Sequence, residues 1–430
     1  MRNKYIKAGV ATIMAVSTAV FGLCGCNAEE DENRVKNSDD LLAGVQKSED
    51  APSYDFNNGA EKPESYDTYI NNSTNLALKM LKTENYESEN TVIAPLSATL
   101  SLSALQNGMN GNTLKQVKSF LGKSNYTAET INQCSAYISQ RTKCLNTEDT
   151  GIFNVGSMWI TNSISPKRSF LQKYDNFYNI FAYKTDFSAE NADTIISNLI
   201  LDNSNSLIPT ESIKTNADYK LYLDCSVAVS DIWLKSYSED SVVAGTFAVN
   251  DNENANVTYL TSVERTFTTD KAQGFVKDLQ NTPCKLVCIL PDSDYTLQEY
   301  VDNLTYDQFL DMPSSVSATD FASVSIPEFS ITNSGSIKDN LTEIGIESIF
   351  TEDADFSKGF SEDIFVDDIT QSVSITVNKN GISSEKTSDE EAQKQTAEES
   401  IKFDRPFLYA VVDNESYVPI IIGTVNNPEK

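Results

Sequence analysis

The chain has 430 residues, carries 33 Lys and Arg against 62 Asp and Glu for a net charge of −29, and contains no histidine. Without an imidazole there is no Ser-His-Asp or Cys-His activation of a nucleophile and no His-ligated catalytic zinc. So negative a chain is also the reverse of what phosphate neutralisation needs, which argues against a nucleic-acid partner.

At the N-terminus Arg2, Lys4 and Lys7 precede an apolar run from Ala8 to Leu23, the layout of a secretory signal. The run is short for a membrane span, which takes about 20 apolar residues. It ends in Leu23-Cys24-Gly25-Cys26, which resembles a bacterial lipobox. Residues 1–25 are therefore expected to be a lipoprotein signal peptide, and Cys26 the lipidation site. Residues 27–66 hold eleven acidic and four basic side chains with few large aliphatics. Such a segment cannot bury enough to offset its ordering entropy, so residues 26–66 are expected to be a disordered acidic tether and residues 67–430 the folded domain. The expected location is across the cytoplasmic membrane, anchored by lipid at the cell surface. Five further cysteines, Cys134, Cys144, Cys225, Cys284 and Cys288, show neither a disulfide framework nor a metal spacing. A Cys134–Cys144 bridge is conceivable, with two free thiols the reading preferred.

From Tyr69 the apolar residues Tyr69, Ile70, Leu76, Ala77, Met80 and Leu81 recur at helical spacing. A short strand, Thr91 to Ala94, precedes Pro95 and a helix for which Ser97 is the expected N-cap, followed by a helix over Thr113 to Leu121. Strand patterns then dominate: residues 152–160, 221–233, 255–263, 284–290, 323–329, 364–377, 407–412 and 418–425. Helical patterns lie between them at 169–180 and 337–341. Strands and helices mixed without βαβ regularity predict an α+β domain with largely antiparallel sheets. Almost thirty residues with hardly an apolar side chain, from Asn378 to Pro406, separate two of these strands. A loop of that length in a compact domain is usually functional, and exposed it is a protease target.

Five stretches in order resemble the serpin family. They are Asn90 to Ser97 followed by Leu105, Gly108 and Thr113; Ser226 to Trp233; Ile337 to Phe350 with Asp355-Phe356-Ser357; Phe403 to Leu408; and Ile422 to Pro428. The resemblance implies three mainly antiparallel sheets surrounded by about eight or nine helices, and a reactive loop at about residues 378–402. It also implies a suicide-substrate mechanism. A serine or cysteine protease cleaves the loop, becomes an acyl-enzyme, and is carried away as the loop inserts into the main sheet, giving a covalent complex. The chain is then an inhibitor and not an enzyme, expected to be monomeric, with no cofactor or metal. Asp363, Asp367 and Asp368 form the densest acidic group in a strand context, and Asp251 to Glu253 is expected to be a turn.

Counted in the family's pattern, fourteen residues on from the hinge glycine Gly381 and eleven before Pro406 both fall at Gln395, which makes Gln395–Thr396 the expected bait bond. An offset of one residue would make it Lys394–Gln395. The hinge comprises Gly381, Ile382, Ser383 and Ser384, and period-two alternation sends Ile382, Ser384, Lys386, Ser388, Glu390 and Ala392 inward on insertion. Lys386 and Glu390 are departures, because an unpaired buried charge costs several kcal/mol. They leave open a second reading, a binding protein whose loop is only a cleavable substrate. The family's sheet-opening region corresponds to Ser97, Cys225, Gln371 and Trp233, with Gln371 where the family usually has His. Lys379 and Glu328 carry charges swapped relative to the family and are expected to pair.

Overall fold

The structure, a computed structural model, describes residues 39–430 except 85, 87, 124, 145, 148, 212, 387 and 389–399. The expected signal peptide, Cys26 and the first part of the expected tether lie outside the described residues. So do Lys394, Gln395, Thr396, Glu390 and Ala392 of the loop.

In chain order the helices are α1 (Tyr66–Leu81), α2 (Pro95–Leu105), α3 (Gly111–Leu121), α4 (Ala128–Lys143), α5 (Arg168–Phe177), α6 (Ala192–Asn203), α7 (Leu297–Asn303), α8 (Tyr306–Ser314) and α9 (Lys338–Glu343). The strands are β1 (Thr91–Ile93), β2 (Gly151–Asn154), β3 (Ser157–Thr161), β4 (Phe181–Thr185), β5 (Leu221–Asp224), β6 (Val227–Ile232), β7 (Val242–Asn250), β8 (Glu253–Thr268) and β9 (Ala272–Asp278). They continue with β10 (Cys284–Pro291), β11 (Phe321–Pro327), β12 (Phe329–Ser336), β13 (Asp368–Val377), β14 (Gly381–Ile382), β15 (Ser400–Lys402), β16 (Phe407–Asp413) and β17 (Pro419–Val425). The α+β class stands.

Two predicted strands are broken in the middle but keep one register. β2 and β3 pair antiparallel with β6 and β5 in turn. The main sheet is therefore β4 at one edge, then β2/β3, then β5/β6, then β13, then β12 at the other edge. The seam between β5/β6 and β13 is parallel, with Thr370 level with Asp224 and Val373 level with Val227. All the other large strands join a second sheet. β8, 16 residues long, pairs with β7 and β11 and again with β9, so the second and third sheets the resemblance implies are hydrogen-bonded into one.

α2 is buried on every side. It begins at Pro95, with Ala94 and not Ser97 in the cap position, because proline is preorganised for the first helical turn. The segment expected to be tether is a correction from Asp39 onward. Leu42 is 2% exposed, Asp40 bridges Tyr183 of the edge strand β4, and Tyr54 and Phe56 pack edge-on against Tyr137 of α4. Gln140 fastens the segment by accepting from the Tyr54 N–H at 3.1 Å and donating to the Pro52 carbonyl at 2.8 Å. Three well-spaced apolar anchors outweigh the acidic composition that suggested disorder.

Candidate functional site: the loop hinge and the seam of the main sheet

After Val377 the chain reverses in a tight turn, where Asn378 Oδ1 accepts from the N–H groups of Asn380 at 2.8 Å and Gly381 at 3.1 Å. β14 then runs back between β6 and β13. Ile382 lies level with Val377 on one side and Asp231 on the other. Gly381 is required here, since a Cβ would meet the Asp231 carbonyl oxygen at 2.0 Å. Ile382 is fully buried, so the first inward position predicted from the alternation is already occupied.

Entry stops at Ser383, whose φ of 47° turns the chain out of the sheet. A left-handed serine is held only where neighbours over-determine it. Here the Ser383 N–H donates to the Thr376 carbonyl at 2.7 Å, its hydroxyl oxygen accepts from the Thr376 N–H at 3.2 Å, and its carbonyl accepts from the Ser230 hydroxyl at 3.2 Å. Beyond it Ser384 and Ser388 are buried, and the exposed Lys386 ammonium pairs with Asp149.

At the top of the seam Trp233 is buried, its indole N–H donating to the Asn378 carbonyl at 2.9 Å and its main-chain N–H to Asn380 at 3.0 Å. Lys277 lies 4.3 Å over the Tyr237 ring and 5.5 Å over Trp233, and pairs with Glu264. The pair expected between Lys379 and Glu328 is not formed between their charges. Glu328 accepts from the main-chain N–H of Lys379 at 3.2 Å, while the ammonium pairs with Glu239. A lysine stem reaches several acids at this rim, and sequence alone could not choose among them.

Lower down, Gln371 closes a two-way bond with α2: Oε1 accepts from the Ala94 N–H at 2.8 Å and Nε2 donates to the Ala94 carbonyl at 2.9 Å. An amide can do both at once without titrating. Ser97 donates to Asn154 Oδ1 at 2.9 Å, which ties α2 to β2. Cys225 faces α2 across a small apolar void lined also by Ala98, Ser101, Leu102 and Ile369, too tight to hold a water. Burial pushes its thiol up to about 12, so it sits there as a neutral, unreactive group. None of these five cysteines forms a disulfide, Cys134 and Cys144 included.

Two acids were not singled out in the sequence. Asp231 is buried and accepts from the main-chain N–H groups of Ile232, Asn281 and Thr282, the last at 2.7 Å. Asp224, at 0% exposure, accepts from the Ser226 N–H at 3.1 Å and hydroxyl at 2.8 Å, and across the seam from the Thr370 hydroxyl at 3.2 Å. The available signal was a lone acid inside each apolar half of Leu221–Trp233. Asp367 and Asp368 serve as structural acceptors, Asp367 for the N–H groups of Lys220 and Leu221 and Asp368 for Ser336 and Ile369. Asp251 and Asn252 form the expected turn between β7 and β8. Among the described residues no cluster of acids and cysteines could hold a metal ion.

A family model described as "Serpin (serine protease inhibitor)" matches residues 71–428. A "Serine protease inhibitor" of Cyanea capillata is 22% identical over 365 residues, 79% of this chain and 93% of that protein. An uncharacterized serpin-like protein of Methanosarcina acetivorans is 21% identical over 80% of this chain and 82% of its own. Among solved structures, the thermophilic serpin tengpin in its native state superposes with a TM-score of 0.81 at 25% identity, covering 90% of this chain and 99% of tengpin.

Proposed function

Because this chain belongs to the serpin family, whose members are generally protease inhibitors, we propose that it is a suicide-substrate inhibitor of serine or cysteine proteases working by insertion of its loop into the main sheet. The observation that carries this reading is β14. Gly381 and Ile382 already pair with β6, and Ile382 with β13 as well, so the sheet accepts the start of a new strand and the loop supplies it in an antiparallel register. Completing that strand after cleavage adds ladder hydrogen bonds to a sheet edge on each side. The free energy released is available to drag and distort an acyl-enzyme.

The reading extends to Gln395–Thr396 as the bait bond, with Lys394 at the neighbouring one. It extends also to a location outside the cytoplasmic membrane with Cys26 as the lipid-bearing residue. The loop length from Gly381 to Pro406 supports the first, and the Leu23-Cys24-Gly25-Cys26 sequence supports the second.

Incubation with trypsin-, subtilisin- and papain-like proteases tests it. An adduct stable in SDS is expected, with release of a C-terminal peptide whose mass begins at Thr396. Cleavage is also expected to raise the melting temperature steeply, since the inserted strand completes the sheet. Clean cleavage with neither adduct nor gain in stability would leave the loop a mere substrate and overturn the proposal.

A further inference from the structure

Beside Asp224, the seam that must part for a strand to enter is crossed by main-chain and side-chain bonds. Cys225 donates its N–H to the Thr370 carbonyl at 2.9 Å, Ser372 donates its N–H to the Ser226 hydroxyl at 3.0 Å, and Thr370 donates its hydroxyl to Asp224. The same Thr370 hydroxyl meets the Tyr222 hydroxyl. The register set by Gly381 and Ile382 carries an added strand straight between Asp224 and Thr370, which are level with one another.

Nothing around Asp224 neutralises a charge. From β5 it is faced by Tyr222, from the β5/β6 junction by Ser226, and from β13 by Thr370, with the acid Asp368 two residues on, while the neighbouring Cys225 thiol is turned to the α2 face. From β3 its level partner is Ser157, whose hydroxyl oxygen is taken by the Trp159 indole. The layer over this face is apolar, with Ile196 and Ile200 of α6 in one cluster with Tyr222. No lysine or arginine among the described residues stands against the carboxyl, and burial pushes it up to about 7.

We propose that Asp224 is a proton-sensitive latch on the closed seam, tightening it when protonated and loosening it when ionised. A neutral carboxyl sits at low cost between Ser226 and Thr370 and keeps the bond across the seam. An ionised one is a charge without a counter-ion in an apolar layer, and water entering an opened seam relieves it. The sign follows from linkage. An acid that titrates near 7 when folded and near 4 when unfolded stabilises the folded state fully at low pH, and that stability is lost as pH rises from about 4 to about 7. The inference rests on the reading that this seam is where the strand enters, but its test needs no protease.

The full uncleaved chain is unfolded in urea from pH 5.5 to 8.5. With no histidine in the chain, few groups titrate in this range; Glu84, raised by burial, is the nearest rival. The unfolding midpoint of the wild type is expected to fall as pH rises to about 7 and then level off. The underlying equilibrium constant changes by up to about tenfold per pH unit, the effect of one proton. Asp224→Asn should lack this slope, Glu84→Gln should keep it, and Thr370→Val, which removes a donor to the carboxylate, should move the levelling point to higher pH. Exchange of the Cys225 and Ser372 amides, compared with Asp224→Asn, should rise over the same range. A flat wild-type profile, an Asp224→Asn profile equal to the wild type, or no displacement in Thr370→Val would overturn the latch. None of these outcomes touches the adduct test, so the two proposals fail separately.

Discussion

Single residues decide whether the main sheet can hold the start of the loop. Gly381 touches the Asp231 carbonyl so closely that Gly381→Ala must push β14 away from β6. Overpacking of that kind costs about 1–3 kcal/mol and sometimes more. The expected result is a lower urea midpoint together with a change in the emission of Trp233, whose indole bonds to the turn just before the glycine. Gln371→Ala removes the acceptor of the Ala94 N–H and one of the two donors to its carbonyl, which keeps the Ala98 N–H at 3.3 Å. A buried N–H left unpaired costs about 1–3 kcal/mol, so this variant should lose about that much by denaturant unfolding. The positions of Gly381 and Gln371 could be read from the sequence, because motif spacing numbers residues along a strand. The weight carried by Asp224 could not. An acid inside an apolar strand reads equally as an edge residue, a pair member or an orphan until its neighbours across the seam are known.

At the scale of elements, the register of β14 specifies what insertion requires of the loop. Continuing it past Ser383 carries Lys386 between Val227 and Val373, which now lie directly opposite each other and are 2% and 0% exposed. The ammonium must give up water and its surface partner Asp149 to pass there. Lys386→Ser should therefore speed insertion, seen as fewer inhibitor molecules consumed per protease trapped, with little change in the stability of the uncleaved protein. An unchanged ratio would mean that another step limits trapping. The segment expected to be tether shows the opposite lesson. Its charge density suggested disorder, yet Leu42, Tyr54 and Phe56 give it anchors on β4 and α4. Leu42→Ala should cost about 2 kcal/mol or more, detected as faster proteolysis within residues 39–60 before the rest of the chain unfolds. Composition averages over a segment, whereas docking depends on a few side chains meeting a matching surface.

For the whole molecule, the net charge of −29 is not evenly spread. Six acids, Glu385, Asp389, Glu390, Glu391, Glu398 and Glu399, stand against Lys386 and Lys394 between the hinge and β15. Proteases with basic surfaces around their clefts should therefore associate faster, and the rate should fall steeply with added salt. A rate indifferent to salt between 50 and 500 mM, roughly a threefold change in screening length, would remove electrostatic steering from the account. The missing histidine keeps its meaning at this scale too, since neither imidazole activation of a nucleophile nor an imidazole switch under the sheet is available to the chain. What sequence alone determined was the α+β class, the serpin resemblance, the order of the strands, the glycine hinge and the length of the loop, because these are written in local periodicity and in spacing along one chain. Tertiary structure alone decided which acid Lys379 meets, how far the hinge has entered the sheet, that residues 39–65 are docked, and that Asp224 lies uncompensated on the seam. Each of these depends on groups brought together from distant parts of the chain, where the balance between desolvation and a partner within hydrogen-bonding reach sets the outcome.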